Sequence, residues 1–325
     1  MHKLVEEIFN VDNEHEFNEL ALSIFDYQME NNPVYAPYAS LILKGVAPEN
    51  YTKIPFLPIE FFKHEQIICQ GQGIEEVFLS SGTTGQQSKH LVSDTSVYEQ
   101  SYLKTFEQFY GNIEDYAVLA LLPNYLERKG SSLVYMVADL IQRSKNKKSG
   151  FYLNNIEELA KKLIKIDQKG QKTLLIGVSF ALMDLIEKCQ FELKNTIIME
   201  TGGMKGRRKE LVRNELHALL QQGFGVKNIH SEYGMTELLS QGYSNGNGVF
   251  ETPPWMKVIT RDPEDALSIQ KNGKTGGINI IDLANYNSCA FIATQDLGKV
   301  HQNGTFEIIG RFDNSDIRGC NLLVL

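Results

Sequence analysis

Residues 79–89 read LSSGTTGQQSK and lie between two short apolar stretches, 77–79 and 90–93, which we predict to be strands. The glycines allow the backbone to turn sharply, and the exposed N–H groups of such a loop can bind an anion. The segment lacks the GxxxxGK[ST] pattern, and a polar β-hairpin turn has a similar composition. Its hydroxyls and charge nevertheless suit a polyphosphate. The candidate phosphate-binding residues are Ser80, Ser81, Gly82, Thr83, Thr84, Gly85 and Lys89.

Strand and helix patterns alternate outward from this loop. Strands that alternate with helices indicate an α/β fold with mostly parallel pairing. Besides residues 77–79, the predicted strands are 117–122, 173–178, 196–199 and 227–230. The predicted helices are 13–30, 96–110, 155–166, 180–189 and 205–222.

The pattern changes after Pro253. Short strands are predicted there, joined by turns at Asn272-Gly273 and Asn303-Gly304, which is typical of antiparallel pairing. We therefore predict an α/β core over residues 1–250, an antiparallel β lobe over 251–313, and a tail over 314–325. The predicted strands of the lobe are 257–260, 278–282, 290–293 and 305–309.

The composition excludes several classes of protein. A net charge of -8 over 325 residues argues against a nucleic-acid partner, since phosphate binding needs clustered Lys and Arg. No apolar run is long enough to span a bilayer, and residues 1–10 lack the apolar segment of a targeting signal. The four cysteines show no CxxC spacing. We therefore expect a cytoplasmic protein with reduced thiols and no membrane span.

Four further motifs follow the loop in the chain. They are Thr201-Gly202-Gly203, Tyr233-Gly234-Met235-Thr236-Glu237, Thr294-Gln295-Asp296 and Gly310-Arg311-Phe312-Asp313. In kind and order they resemble the motifs of the adenylate-forming superfamily, which includes acyl-CoA synthetases, luciferases and peptide-synthetase adenylation domains. The matched motifs span residues 80–313. The resemblance implies that family's large N-terminal domain, with parallel sheets flanked by helices and a small antiparallel lobe.

The resemblance also implies ligands and roles for single residues. Tyr233, with Gly202, Gly203, Gly234 and Met235 around it, would contact adenine. Thr236 would contact the α-phosphate and the substrate carboxylate. Glu237 would hold Mg²⁺, and Asp296 and Arg311 would fix the ribose of ATP. Each residue alone also has a plainer explanation: a core tyrosine, a surface glutamate, a turn aspartate or a salt bridge.

The chain also departs from most of that superfamily. Only residues 314–325 follow Asp313, so we expect the usual C-terminal lid domain, with its catalytic lysine, to be absent. This feature, residues 253–256 (PPWM) and residues 318–320 (RGC) resemble the LuxE acyl-protein synthetases. The resemblance implies that Cys320 accepts the acyl group. The nearby cation of Arg318 would favour its thiolate, whereas a small buried apolar role is the alternative. We expect the other three cysteines to be structural.

These features predict an ATP- and Mg²⁺-dependent enzyme. It would activate a carboxylic acid, expected to be a fatty acid, as acyl-AMP and transfer the acyl group to Cys320. An acyl-CoA-reductase-like protein would be its partner. Two alternatives stay open: a ligase resembling phenylacetate–CoA ligase, and a non-catalytic nucleotide- or acyl-binding subunit of a reductase complex. Residues 123–126 and 178–180 are candidates for the acyl pocket. The chain length of the acid, the final acceptor and the oligomeric state are left open.

Overall fold

The computed structural model describes residues 2–81, 86–122, 130–202 and 211–312. In these ranges the helices are α1 His2–Asn10, α2 Glu14–Asn31, α3 Tyr35–Leu43, α4 Phe61–His64, α5 Thr95–Tyr110, α6 Ser132–Arg143, α7 Ile156–Asp167, α8 Ser179–Lys188 and α9 Arg213–Phe224. The strands are β1 Leu57–Pro58, β2 Glu76–Leu79, β3 Lys89–Val92, β4 Ala117–Leu121, β5 Gly150–Phe151, β6 Thr173–Val178, β7 Thr196–Thr201, β8 His230–Tyr233, β9 Gly242–Ser244, β10 Val249–Phe250, β11 Met256–Arg261, β12 Thr275–Asp282, β13 Phe291–Val300 and β14 Phe306–Arg311. No helix in these ranges is long and apolar enough to cross a membrane.

The first sheet has the strand order β5-β4-β6-β7-β8-β9. Strands β4 to β8 are parallel, and only β9 runs antiparallel to its neighbour β8. Every residue of β4 and β6 is buried, as expected for parallel strands whose two faces are both covered. The predicted α/β architecture with parallel pairing is therefore confirmed.

The second sheet has the order β10-β14-β13-β12-β11, and β1 pairs with β13 in parallel. Its register places Asp296 of β13 opposite Arg311 of β14. The buried Arg261 donates from its guanidinium to the carbonyl oxygens of Ile278 and Thr294, at 2.8 and 2.6 Å. This sheet is the antiparallel lobe predicted after Pro253, with two additional strands, β1 and β10, from earlier in the chain.

The two strands on either side of the phosphate-loop region pair with each other as a hairpin. Strands β2 and β3 pair antiparallel, with Leu79 opposite Lys89. The predicted strands on both sides of the loop are confirmed. Residues 82–85 lie outside the described residues.

Two predicted elements begin several residues later than predicted, and the strands predicted at 278–282 and 290–293 are longer in the structure, where they are β12 and β13. Helix α9 begins at Arg213, after an extended Val212, although we predicted a helix over 205–222. It ends where Gly225 adopts a left-handed conformation at φ 66°. The strand predicted at 227–230 instead runs from His230 to Tyr233, because the ladder with β7 begins with the pair Met199 and His230. Tyr233 therefore ends a strand.

Candidate active site

The carboxyl ends of β7 and β8 meet at one edge of the parallel sheet, where open α/β folds bind their ligands. Gly202 follows β7 with a positive φ of 62°, which favours glycine. Its carbonyl oxygen accepts a hydrogen bond of 2.8 Å from the Ser179 hydroxyl. Residues 233–237 continue directly from β8. Two of the predicted motifs are therefore neighbours at this edge.

Two buried residues hold the backbone of Thr236 and Glu237. The Nδ1–H of His90 donates to the carbonyl oxygen of Thr236 at 2.8 Å. Its Nε2 lies 2.9 Å from Oδ1 of Asn285, whose Nδ2 donates to the carbonyl oxygen of Glu237 at 2.8 Å. Burial lowers the pKa of His90 to about 4. Neither residue was predicted from the sequence. The signal that could have identified them was a polar side chain within a buried, apolar segment.

Asp282 holds the segment that follows Glu237. Its Oδ2 accepts from the backbone N–H groups of Leu239 and Ser240 at 2.8 and 2.9 Å. The Ser240 hydroxyl donates to Oδ1 at 2.6 Å. Burial raises the pKa of Asp282 to about 6, against the lowering effect of these bonds. This carboxyl group was also missed, because its partners lie about forty residues away in the chain.

The Glu237 side chain points inward and is only 5% exposed. Burial raises its pKa, and a hydrogen bond from Ser88 with the charges of Arg311 and Lys63 opposes the rise. Mg²⁺ in nucleotide sites binds one or two carboxylates together with phosphate oxygens and water. A single carboxylate beside a serine hydroxyl fits that requirement. The described part of the chain contains no group of three metal-binding side chains.

A three-residue network joins the two sheets at the site. The Tyr233 hydroxyl donates to Oδ2 of Asp296 at 2.8 Å, and Nε of Arg311 lies 3.2 Å from Oδ1 of Asp296. Phe250 and Phe306 contact the Tyr233 ring edge to face, with centroids 5.9 and 5.4 Å away. Burial raises the pKa of Asp296, and the Arg311 side chain is 69% exposed. Tyr233 therefore packs among aromatic core residues, and Arg311 forms a salt bridge, as the plainer explanations predict. Both residues nevertheless lie at the predicted ribose site.

A cleft of about 150 Å³ opens beside this network. Among its lining residues, five are predicted site residues: Ser81, Gly202, Gly234, Met235 and Thr236. The candidate pocket wall at residues 178–180 is not among the described residues that line it. The structure therefore gathers residues from three motifs, spread from position 81 to position 236, around one space.

The remaining predicted residues fall into two groups. The Ser80 hydroxyl accepts the Ser88 N–H at 2.9 Å, and Lys89 begins β3 with its side chain exposed. The others lie outside the described residues: Gly82, Thr83, Thr84, Gly85, Gly203, Cys320 and the segment 123–126.

Several solved structures share this fold. ATP-bound MatB from Rhodopseudomonas palustris is 18% identical, with a TM-score of 0.55 over 75% of this chain and 50% of that one. A 2-hydroxyisobutyryl-CoA ligase bound to 2-HIB-AMP and CoA is 12% identical, with a TM-score of 0.65 over 92% and 75%. MenE from Bacillus subtilis, an o-succinylbenzoate coenzyme A synthetase bound to ATP and magnesium, is 16% identical, with a TM-score of 0.50 over 76% and 52%. The fold is therefore that of adenylate-forming enzymes.

The chain spans about half the length of the MatB structures. No curated protein sequence matches it. The family described as "Acyl-protein synthetase, LuxE" matches residues 138–325, more than half of the chain. The protein is therefore a member of the LuxE family.

Proposed function

We propose that the protein activates a carboxylic acid with ATP, releasing pyrophosphate and forming acyl-AMP, and then transfers the acyl group to the thiol of Cys320. One observation carries this proposal. The Tyr233–Asp296–Arg311 network lies at the same sheet edge as the cleft lined by Ser81, Gly202 and Thr236. The network suits a nucleoside and the cleft suits the acid.

In this proposal both sheets contribute to the ATP site. Asp296 accepts hydrogen bonds from the ribose hydroxyls, and the exposed guanidinium of Arg311 binds ribose or phosphate. Tyr233, with Gly202 and Gly234 beside it, contacts adenine. Because Asp296 and Arg311 come from β13 and β14, residues 251–313 would complete the site of the core formed by residues 1–250.

The first step is an in-line displacement at phosphorus. An oxygen of the substrate carboxylate bonds to the α-phosphorus, and the bond from that phosphorus to the bridging oxygen breaks, so pyrophosphate leaves. Thr236 orients the α-phosphate, while residues 80–85 and Lys89 hold the β- and γ-phosphates. Glu237 would hold Mg²⁺ beside Ser88. The bound ion would neutralise negative charge on the phosphates.

The second step forms a thioester. The Cys320 thiol loses its proton to solvent, the thiolate attacks the acyl carbonyl, and AMP leaves. Cys320 lies outside the described residues. Resemblance to the family favours a fatty acid as substrate and a reductase-like protein as the receiver of the acyl group. We place this chemistry in a reducing, cytoplasmic setting, and the three described cysteines form no disulfide.

Mass spectrometry of the intact protein tests the proposal. The protein is incubated with ATP, Mg²⁺ and a panel of carboxylic acids. We expect a mass increment equal to one acyl group, dependent on ATP and removed by hydroxylamine. Cys320→Ser should abolish the increment but keep pyrophosphate release. Cys189→Ser is the matched control, since Cys189 is partly exposed yet lies on the far end of α8.

The alternatives give different results. If free CoA, but not the protein, becomes acylated, the chain is a CoA ligase, the activity named for the 2-hydroxyisobutyryl-CoA neighbour. If no acid yields pyrophosphate or an adduct, the chain is not an enzyme by itself, and a nucleotide- or acyl-binding role in a larger complex replaces the proposal.

A further inference from the structure

The Thr294-Gln295-Asp296 motif forms a bulge in β13. The pairing of β12 with β13 passes from Gly277 and Leu297 to Asn279 and Ala293. Three residues of β13, those of the motif, therefore lie opposite one residue of β12. Bulges interrupt the backbone ladder, change the direction of a side chain and are common next to active sites. The bulge therefore decides where the Asp296 carboxylate points.

Arg261, the last residue of β11, supplies hydrogen bonds where the ladder is interrupted. Its side chain is buried, and its Nη1 and Nη2 donate to the carbonyl oxygens of Ile278 and Thr294, at 2.8 and 2.6 Å. Nη1 also donates to Oδ1 of Asn279 at 2.6 Å. Buried carbonyl groups need such partners when a strand neighbour cannot provide them. The guanidinium therefore joins β12 to β13 at the bulge.

The same guanidinium is linked to the other two residues of the motif. The Thr294 hydroxyl accepts from the N–H of Asp296 at 3.0 Å. On the opposite side, the ring centroid of Phe312 lies 5.5 Å from Cζ of Arg261, and the Phe312 N–H donates to the carbonyl oxygen of Gln295 at 2.8 Å. Arg261 thus contacts Thr294 directly and the next two residues through one neighbour each.

Gly277 leaves the space that the guanidinium occupies. It pairs with Arg261 in the ladder between β11 and β12. A Cβ built on Gly277 would lie 2.6 Å from Cζ of Arg261, a distance that real Cβ atoms do not adopt. Glycine within a strand often marks the close approach of another group. An alanine at this position would displace the guanidinium.

Arg261 also places a buried positive charge near Asp296. Burial raises the pKa of Asp296, and the charges of Arg311 and Arg261 oppose the rise. Arg311 is exposed, whereas Arg261 is buried, so solvent ions screen the charge of Arg261 less. An ionised carboxylate only accepts hydrogen bonds, which suits a pair of hydroxyl groups.

We propose that Arg261 is a positioning residue for ribose binding, because it holds the bulge at residues 294–296 in the shape that directs the Asp296 carboxylate to the ribose hydroxyls of ATP. Arg261 acts through Asp296 and does not itself contact the nucleotide. This inference rests on the ribose site of the proposed function, and it assigns a role to a residue outside the sequence motifs.

The ratio of two nucleotide affinities tests the inference. Titration calorimetry compares ATP with 2′,3′-dideoxy-ATP, which lacks both ribose hydroxyls. We expect the wild type to bind ATP at least about tenfold more tightly, the ratio expected for hydrogen bonds to a buried charged group. Arg261→Lys keeps the charge but replaces the planar fork by a single ammonium group, and Gly277→Ala displaces the guanidinium without removing it. In both variants the ratio should fall to about one.

A merely structural role of Arg261 would weaken the binding of both nucleotides alike and leave their ratio unchanged. Arg143→Lys is the matched control. Arg143 lies at the C-terminal end of α6 and pairs with Asp139 and Glu99, away from the bulge. This variant should keep the ratio of the wild type. If Arg261→Lys does not fold, Gly277→Ala, which adds one methyl group, decides.

Acid-dependent release of pyrophosphate separates this inference from the proposed function. A ratio that survives in the folded Arg261 and Gly277 variants but is lost in Asp296→Asn overturns the inference and leaves the function standing. A wild type that binds both nucleotides equally, yet releases pyrophosphate, overturns the inference and the ribose role of Asp296 but not the activation of an acid. A wild type that neither binds ATP nor releases pyrophosphate overturns the function and the inference together.

Discussion

Replacing Asn285 by leucine should loosen the segment that carries Thr236 and Glu237. The change removes the amide that donates to the Glu237 carbonyl oxygen at 2.8 Å and that faces Nε2 of His90 at 2.9 Å. The buried carbonyl oxygen of Glu237 loses its donor. Such a loss costs ~1–3 kcal/mol, so we expect the free energy of unfolding to fall by ~1–3 kcal/mol.

That loss converts into a measurable shift in melting temperature. An unfolding entropy of ~2.1 cal/mol/K per residue gives ~0.7 kcal/mol/K for a chain of 325 residues. Asn285→Leu should therefore melt ~1.5–4.5 °C below the wild type in calorimetry. At a temperature well below both transitions, titration calorimetry should show ATP binding weakened by about tenfold or more, since Thr236 and Glu237 lose their fixed positions.

Asn287→Leu is a matched control. Asn287 is also buried, donates to the Ser93 hydroxyl at 2.9 Å and accepts from the Tyr27 hydroxyl at 3.1 Å. It should lower the melting temperature by a similar amount and leave ATP affinity unchanged. Equal ATP affinity in the two variants would refute the idea that Asn285 positions the site. An unchanged melting temperature in Asn285→Leu would refute the energetic argument.

Three further predictions concern the cleft and its supports. Tyr233→Phe removes the hydroxyl that donates to Asp296, and calorimetry should show ATP binding roughly tenfold weaker. Unchanged ATP binding would argue against a ribose role for Asp296. Gly234→Ala places a Cβ 2.3 Å from Oε1 of Glu232, so that side chain must move. We expect it to cost ~1 kcal/mol in denaturant unfolding and to slow acid-dependent pyrophosphate exchange. Gly73→Ala, where an added Cβ meets nothing within 4 Å, should leave both unchanged. Burial raises the pKa of Asp282 from 3.8 to about 6, so its stabilising contribution is complete below pH 4 and is lost as the pH rises through 6. The free energy of unfolding of the wild type, relative to Asp282→Asn, should therefore fall by ~3 kcal/mol between pH 4 and pH 7, and a flat difference would contradict this assignment.

The sequence best predicted the helices and strands that are determined by residues close together in the chain. Strand β6 was predicted to the residue, because an unbroken apolar run is typical of a parallel strand covered on both faces. The start of α2 was also predicted, since the Asn13 side chain accepts from the N–H of Glu16 and caps the helix.

The failures occurred where distant residues decide the structure. Strand β8 carries the polar residues His230, Ser231 and Glu232, so its position follows from pairing with β7 and β9 and not from an apolar pattern. The support of Thr236 by His90 joins positions 146 residues apart. The sequence motifs indicated residues that the structure brings together around the cleft, such as Gly202 and Thr236, but not the buried polar groups that hold them there.

The pairing of β1 with β13 also constrains when the chain can fold during its synthesis. Leu57 pairs with Ile292, so a strand synthesised early waits for a partner 235 residues later. At the ~5–20 residues per second of translation, that delay is on the order of ten seconds or more. Helix α2 waits slightly longer, because its Gln28 side chain donates to the carbonyl oxygen of Tyr286, 258 residues later. The surfaces of these early elements that pack against residues 286 and 292 must therefore remain without those partners on the ribosome, where a nascent-chain chaperone would have its longest opportunity to bind.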